Sequence, residues 1–204
     1  MTKPIEATPA RRAKSVLRRL KRNERGTTAI EFAIVAVPFF AFIFQTIEVA
    51  LVYGGTVSLE HALEKVARTI RVGNPASSSS DFRNQVCAEV VLLRDCQSKL
   101  IVDVRTLGGL GDASNTNVMN EYSTGGQLNG PGDPGNPGTY NTGAGGTVVL
   151  VNAFYKWDIV AQLPIFYNWE SGNATSPLAN QGDGSRVLSA TVAFVNEPFP
   201  GAGG

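Results

Sequence analysis

From Ala29 to Tyr53 the chain reads AIEFAIVAVPFFAFIFQTIEVALVY, with only Glu31, Gln45, Thr46 and Glu48 strongly polar. As a helix rising about 1.5 Å per residue, the stretch spans roughly 37 Å, enough for a tilted crossing of a ~30 Å hydrocarbon core. A cleaved secretory signal would have an apolar region of only about 7–15 residues and end in a small-x-small site. This stretch is too long for that and predicts one membrane helix. Pro38 lies inside it and removes one backbone hydrogen bond, which membrane helices tolerate. Gly54-Gly55 follows as a plausible flexible point through which the helix could also continue.

Upstream, residues 1–26 hold nine Lys/Arg and two acids, a charge of +7, whereas the rest of the 204-residue chain carries −6. Basic clusters neutralise nucleic-acid phosphates, but they also mark the cytoplasmic flank of a membrane helix. No aromatic residue interleaves this block, and it runs straight into the apolar stretch. The membrane reading therefore wins, and no nucleic-acid partner is expected.

Downstream, Leu59, Ala62, Leu63, Val66, Ala67 and Ile70 recur at helical spacing over 58–72. Gly73-Asn74-Pro75 should end that amphipathic helix. Ser80 or Asp81 is placed to cap a second helix with apolar positions Phe82, Val86, Val90 and Leu93. KLIVDVRTL (99–107) alternates as a half-buried strand. Residues 108–146 hold twelve Gly, three Pro and six Asn and predict a long irregular loop. TVVLVNAFYKW (147–157) reads as a central strand and RVLSATVAFV (186–195) as the last one, with Leu188, Ala190, Val192 and Phe194 on one face. Between them, LPIFYNW (163–169) is a short apolar segment expected to fold over the sheet rather than form a partner surface. Helices followed by strands indicate an α+β fold with a small antiparallel sheet.

Catalytic chemistry is sparse. His61 is the single histidine and falls on the polar helix face. No P-loop, dinucleotide fingerprint or nucleophile elbow is present. Two cysteines with one histidine are thin for any metal, so no metal or cofactor is expected. The acids Asp103, Asp112 and Asp133 have no spacing that recommends a catalytic pair, and the chain is read as a non-enzyme. Beyond the membrane, Cys87 and Cys96 would meet an oxidising compartment and form a disulfide. Nine positions along one helix separate Cα atoms by roughly 13–14 Å, against a limit of about 7 Å. The helix must therefore stop before Cys96, near Leu93 or Arg94.

Glu31 is the sharper feature, because an ionisable group inside an apolar helix is costly and usually has a partner. Within RGTTAIEF (25–32), a cut after Gly26 would make Thr27 residue one, with a new amine, and Glu31 residue five. A carboxylate at that depth could neutralise the terminal amine of a neighbouring subunit.

Basic residues, Gly26, Glu31 at the fifth mature position and then an apolar helix resemble the class III signal of type IV pilin-like proteins. More narrowly, residues 26–54 resemble the TadE-like family, pseudopilins of the tight-adherence (Flp) pilus system. In that family an EFA or EYA segment precedes a helix proline and a second Glu. Glu31-Phe32-Ala33, Pro38 and Glu48 stand in those places, and SATVAFVNEPF (189–199) resembles a TadE-type final strand. The resemblance implies cleavage between Gly26 and Thr27 by a prepilin peptidase. It also implies assembly roles for Glu31, Phe32, Pro38 and Glu48, and other pilin or pseudopilin subunits and the pilus machinery as partners. Glu48 also admits a simpler reading, a carboxylate reaching water at the outer interface. The expected organisation is a cytoplasmic leader (1–26), an inner-membrane helix (27–55), a periplasmic α+β domain (56–200) and a short tail (201–204). The competing reading is an uncleaved, signal-anchored periplasmic binding module.

Overall fold

The computed structural model describes residues 27–109, 111–112, 118–125, 127–128, 138–158, 167–168, 173–174 and 178–198. The leader with Gly26, most of 163–169 including Phe166 and Trp169, Asp133 and the 201–204 tail lie outside these residues. The chain divides into two compact units, residues 1–44 and 45–204.

Helix α1, Thr27–Arg71, belongs to both units and runs unbroken through Pro38 and Gly54-Gly55. Its portion in the first unit, residues 27–44, is apolar and uncovered, with Phe32, Ile34, Phe39, Phe42 and Phe44 all exposed. An 18-residue stretch of the helix with mean hydropathy 2.1 and almost nothing buried has the surface of a lipid-facing segment, because water would penalise each uncovered side chain. α1 stops as the sequence predicts. Gly73 adopts φ +80°, its N–H reaches the Ile70 carbonyl at 3.0 Å and the Asn74 N–H reaches Thr69 at 2.9 Å. That is the paired-bond glycine stop, which only a residue tolerant of positive φ forms cheaply.

In the second unit α2, Ser79–Glu89, is capped by Ser78, whose Oγ accepts from the Asp81 N–H at 3.1 Å. The cap is therefore two or three residues earlier than Ser80 or Asp81, since Asp81 serves as the reciprocal partner rather than the cap. α2 ends at Glu89, before the Leu93–Arg94 limit. A short turn of helix, α3 (Cys96–Lys99), leads into β1, Leu100–Leu107. Then come α4 (Val118–Glu121), β2 (Ser123–Thr124), β3 (Gln127–Leu128), β4 (Val148–Trp157), β5 (Tyr167–Asn168), β6 (Asn173–Ala174) and β7 (Arg186–Val195). β1, β4 and β7 form one antiparallel sheet with β4 in the middle, so the fold is α+β as expected.

One sheet face packs against the helices. Leu59, Leu63, Val66 and Ile70 of α1, with Phe82 and Val86 of α2, meet Leu100, Val102, Val104, Val149, Val151 and Leu188. The other face differs from expectation, because β1 is buried on both sides over Leu100–Val104. The Gly-rich segment supplies Val118, Tyr122 and Leu128, which cover Ile101, Leu150, Phe154 and Val187. Further along the same segment, the Val104 N–H donates to the Thr139 carbonyl and the Asn141 N–H to the Val104 carbonyl, each at 2.8 Å. Residues 139–141 thereby close part of the free edge of β1, an edge that would otherwise invite foreign strands.

Candidate functional site

The residues singled out in the sequence divide between the two units. In the first, the described part of α1 starts at Thr27, and Glu31, Phe32 and Pro38 are all exposed. Pro38 cannot donate to the carbonyl four residues back, so it marks the weak point of this stretch. Among the described residues Glu31 has no salt-bridge partner. In the second unit, Glu48 has the opposite environment, being 3% exposed. Its Oε1 accepts a hydrogen bond from the Trp157 Nε1 at 3.0 Å. The water-facing alternative for Glu48 is therefore not the arrangement found.

The stripe that buries α1 starts earlier than Leu59. Glu48, Val52 and Gly55 continue it toward the N-terminus at helical spacing. A Cβ on Gly55 would lie 3.2 Å from Leu188 Cδ1 and 3.3 Å from Trp157 Cζ3. Gly55 is thus a close-approach residue that lets the helix backbone meet the end of the sheet. The indole of Trp157 packs beside that glycine and donates its N–H to one oxygen of Glu48, which gives the indole the acceptor it needs when buried.

Cys87 and Cys96 are bonded, with Cα atoms 5.6 Å apart. The helix break after Glu89 brings them together, as the distance argument required. The bond closes a loop over residues 90–95, whose base is held by the Tyr155 hydroxyl donating to the Arg94 carbonyl at 2.6 Å. Burial pushes the Tyr155 hydroxyl up to about 12.

Asp103, weighed above as a potential acid, is fully buried and committed elsewhere. Arg105 grips it with Nε and Nη2, each at 2.7 Å, and Tyr122 donates its hydroxyl to the same carboxylate. Glu121 engages the other side of Arg105 at 2.8 and 3.1 Å. Hydrogen bonds from Asp103 first and Glu121 second hold the Arg105 pKa well above its usual range. Burial raises that of Tyr122, and its bond to Asp103 adds to the effect. Asp103 faces Asn152 across β1 and β4, and Asn152 faces Thr191 on β7. The Thr191 hydroxyl donates to Asn152 Oδ1 at 2.8 Å. This polar row fastens the Gly-rich segment to the sheet. It is buried and ion-paired, unlike an acid poised for proton transfer. Among the described residues no three His, Cys, Asp or Glu side chains gather as a metal cluster.

The contacts that Trp157, Gly55, Glu121 and Tyr122 make escaped the sequence reading. A tryptophan closing an apolar strand has one N–H that needs an acceptor if buried, which hints at a partner without naming Glu48.

No curated protein and no solved structure matches the chain. The model of the family described as TadE-like protein matches residues 26–68, which contain Glu31, Phe32, Pro38, Glu48 and Gly55 and do not include the final strand. The exposed apolar helix and most of its buried continuation are therefore similar to the TadE-like family over residues 26–68.

Proposed function

We propose that the chain is a TadE-like pseudopilin. It is cut by a prepilin peptidase between Gly26 and Thr27, and it helps initiate or assemble a tight-adherence (Flp-type) pilus from the bacterial inner membrane. The observation that carries this is Glu31, an exposed carboxylate on an uncovered apolar helix, five residues after Gly26. In lipid such a charge is costly unless it meets a cation, and the new amine of Thr27 on a neighbouring subunit is the nearest chemistry that would supply one. The N-terminus is cytoplasmic on the strength of the basic leader, and the domain beyond the membrane helix, residues 56–200, is periplasmic, where the Cys87–Cys96 bond persists. The role is structural and not enzymatic: Asp103 is spent on Arg105 and Tyr122. Partners are membrane lipid, the peptidase, and pilin-like subunits with their machinery.

The test is the mass of the protein extracted from membranes of its own host. A chain lacking residues 1–26 is expected. An intact leader would remove the pseudopilin reading and favour an uncleaved anchor bearing a binding module. Glu31→Ala should leave membrane insertion unchanged and abolish pilus assembly.

A further inference from the structure

β7 is an edge strand, paired with β4 from Arg186 to Val195 without a bulge. The pairing fixes where each residue points its main chain. Val104 of β1 turns its N–H and C=O away from β4, to Thr139 and Asn141. Its odd-numbered neighbours on β1 therefore face β4, and the sides alternate in turn along β4 and β7. On β7 the outward-facing residues are then Val187, Ser189, Thr191, Ala193 and Val195. Asn180 agrees with this parity. Its side chain accepts from the Val187 N–H at 2.8 Å and donates to the Val187 carbonyl at 3.4 Å, so it supplies one rung of a strand. Beyond that rung, the main-chain groups of Ser189, Thr191, Ala193 and Val195 have no outward partner among the described residues.

Sheet edges are ordinarily blunted by charge, proline or a bulge. VLSATVAFV (187–195) carries neither charge nor proline. Ser189, Thr191 and Ala193 are exposed and small, so they leave the main chain accessible. The β1 edge, by contrast, is closed in part by 139–141.

We infer that the outer edge of β7 takes up an extended segment of another polypeptide as a fourth strand, over Ser189–Val195. An extended chain is the partner that offers donors and acceptors at the spacing of alternate strand residues, about 6.6 Å. On the helix side of the sheet Val192 and Phe194 are half-buried at the margin of the core, so the added strand presents apolar side chains there. It presents polar ones beside Ser189 and Thr191. The two ends differ in charge. Arg186 donates to the Leu178 carbonyl at 2.8 Å and has no ion pair among the described residues. Glu197 is 55% exposed, with Arg71 Nε at 3.7 Å. An antiparallel segment with a base at its N-terminal end and an acid at its C-terminal end complements both. The β7 strand of a second copy bears those charges too. However, β7 runs in the same sense as α1, from the Trp157–Glu48 bond to the Glu197–Arg71 bond. Antiparallel pairing of two copies would set their α1 helices in opposite directions, which chains inserted alike in one membrane do not adopt. That exclusion alone rests on α1 being a membrane helix.

The test uses the full detergent-solubilised chain and the synthetic peptide KTVTVTVTE, whose threonine main-chain groups face β7 and whose valines lie beside Val192 and Phe194. Binding is read by fluorescence anisotropy of the labelled peptide, and its place by amide hydrogen exchange. The amides of Ser189, Thr191, Ala193 and Val195 should exchange more slowly in the complex. Methylating two threonine main-chain nitrogens should weaken binding about tenfold, whereas methylating two valine nitrogens, which point away, should change it less than about twofold. The charge-reversed peptide ETVTVTVTK should bind about threefold more weakly. Absence of binding, or binding indifferent to threonine methylation, overturns the inference. Equal affinity for the two end-charge patterns overturns the antiparallel, charge-matched occupant. Self-association of the wild-type chain that Ala193→Pro abolishes also overturns it, and would assign the edge to a second copy.

Discussion

The indole of Trp157 donates to the carboxylate of Glu48 across 3.0 Å although 109 positions separate them in the chain. This bond joins the helix that carries the TadE-like match to the last residue of the central strand. Losing the acceptor would strand a part-buried N–H, which costs about 1–3 kcal/mol. Glu48→Ala should therefore lower the thermal midpoint of the domain, while Glu48→Gln, which keeps an acceptor oxygen, should restore most of it. Equal midpoints for the two variants, followed by circular dichroism of the detergent-solubilised chain, would show that the bond does not stabilise the fold.

Removing the disulfide through paired Cys87→Ser and Cys96→Ser changes should cost roughly 2–3 kcal/mol, the loop-closure value for a ring of this size. Midpoints with and without reductant should differ for wild type and coincide for the double variant. Alkylation before and after reduction, read by mass, checks the bond itself.

Arg105→Ala would leave Asp103 buried with Tyr122 as its remaining hydrogen-bonding neighbour in the network, a change worth about 3–5 kcal/mol. Tyr122→Phe should cost about 1 kcal/mol. Glu121→Ala should cost less than about 1 kcal/mol, because Glu121 is exposed. Urea unfolding should rank the three in that order. The Arg105 variant should also expose 118–128 to proteolysis, since that segment would lose its attachment.

Two groups give the domain opposite pH limits. Burial alone would raise the Asp183 pKa, but bonds from Lys156 and Ser185 outweigh it and hold the carboxyl at about 2 against a usual 3.8. The unfolded chain therefore takes the proton first. This contribution is intact above about pH 4 and is lost as pH falls toward 2. For Tyr155 the sign reverses: its folded value of about 12 lies above the ordinary 10, so stability fades as pH rises from 10 through 12. Asp183→Asn should flatten the acid limb of the midpoint-versus-pH curve, and Tyr155→Phe the alkaline limb.

Much of this architecture was legible in local pattern. The helical spacing of Leu59 to Ile70, the Gly73 stop and the alternation of residues 186–195 each appear where periodicity puts them, because single-face burial imposes those periods. The disulfide was legible for a different reason: its geometry forbids a continuous helix between Cys87 and Cys96. What pattern could not give was long-range. Residues 108–146 looked empty of core, yet Val118, Tyr122 and Leu128 suffice to cover a sheet face, and three scattered side chains leave no period. Glu48 read as a feature of the membrane helix. Its burial depends on Gly55 admitting Trp157 from far along the chain, which no window of local sequence contains. For the helix itself, the TadE-like match covers Glu31 and Pro38.

The final strand also returns to the helix. After β7, Asn196 donates its side-chain amide to the Thr142 and Ala144 carbonyls at 2.8 and 3.1 Å, and the Glu197 N–H donates to the Arg71 carbonyl at 2.9 Å. From Glu48 to Arg71 the helix rises about 35 Å, and ten residues of β7 extend about 33 Å. Helix and strand thus have nearly the same length, and the helix is tied to the sheet at both ends, by Trp157 of β4 at one and by Glu197, just after β7, at the other. A tensile load drawn along α1, such as a growing filament would apply, is then shared by two fastenings and the whole packed seam between them. It acts in shear along β4 and β7, the direction in which many ladder bonds resist together, and not as a peel that opens them one at a time.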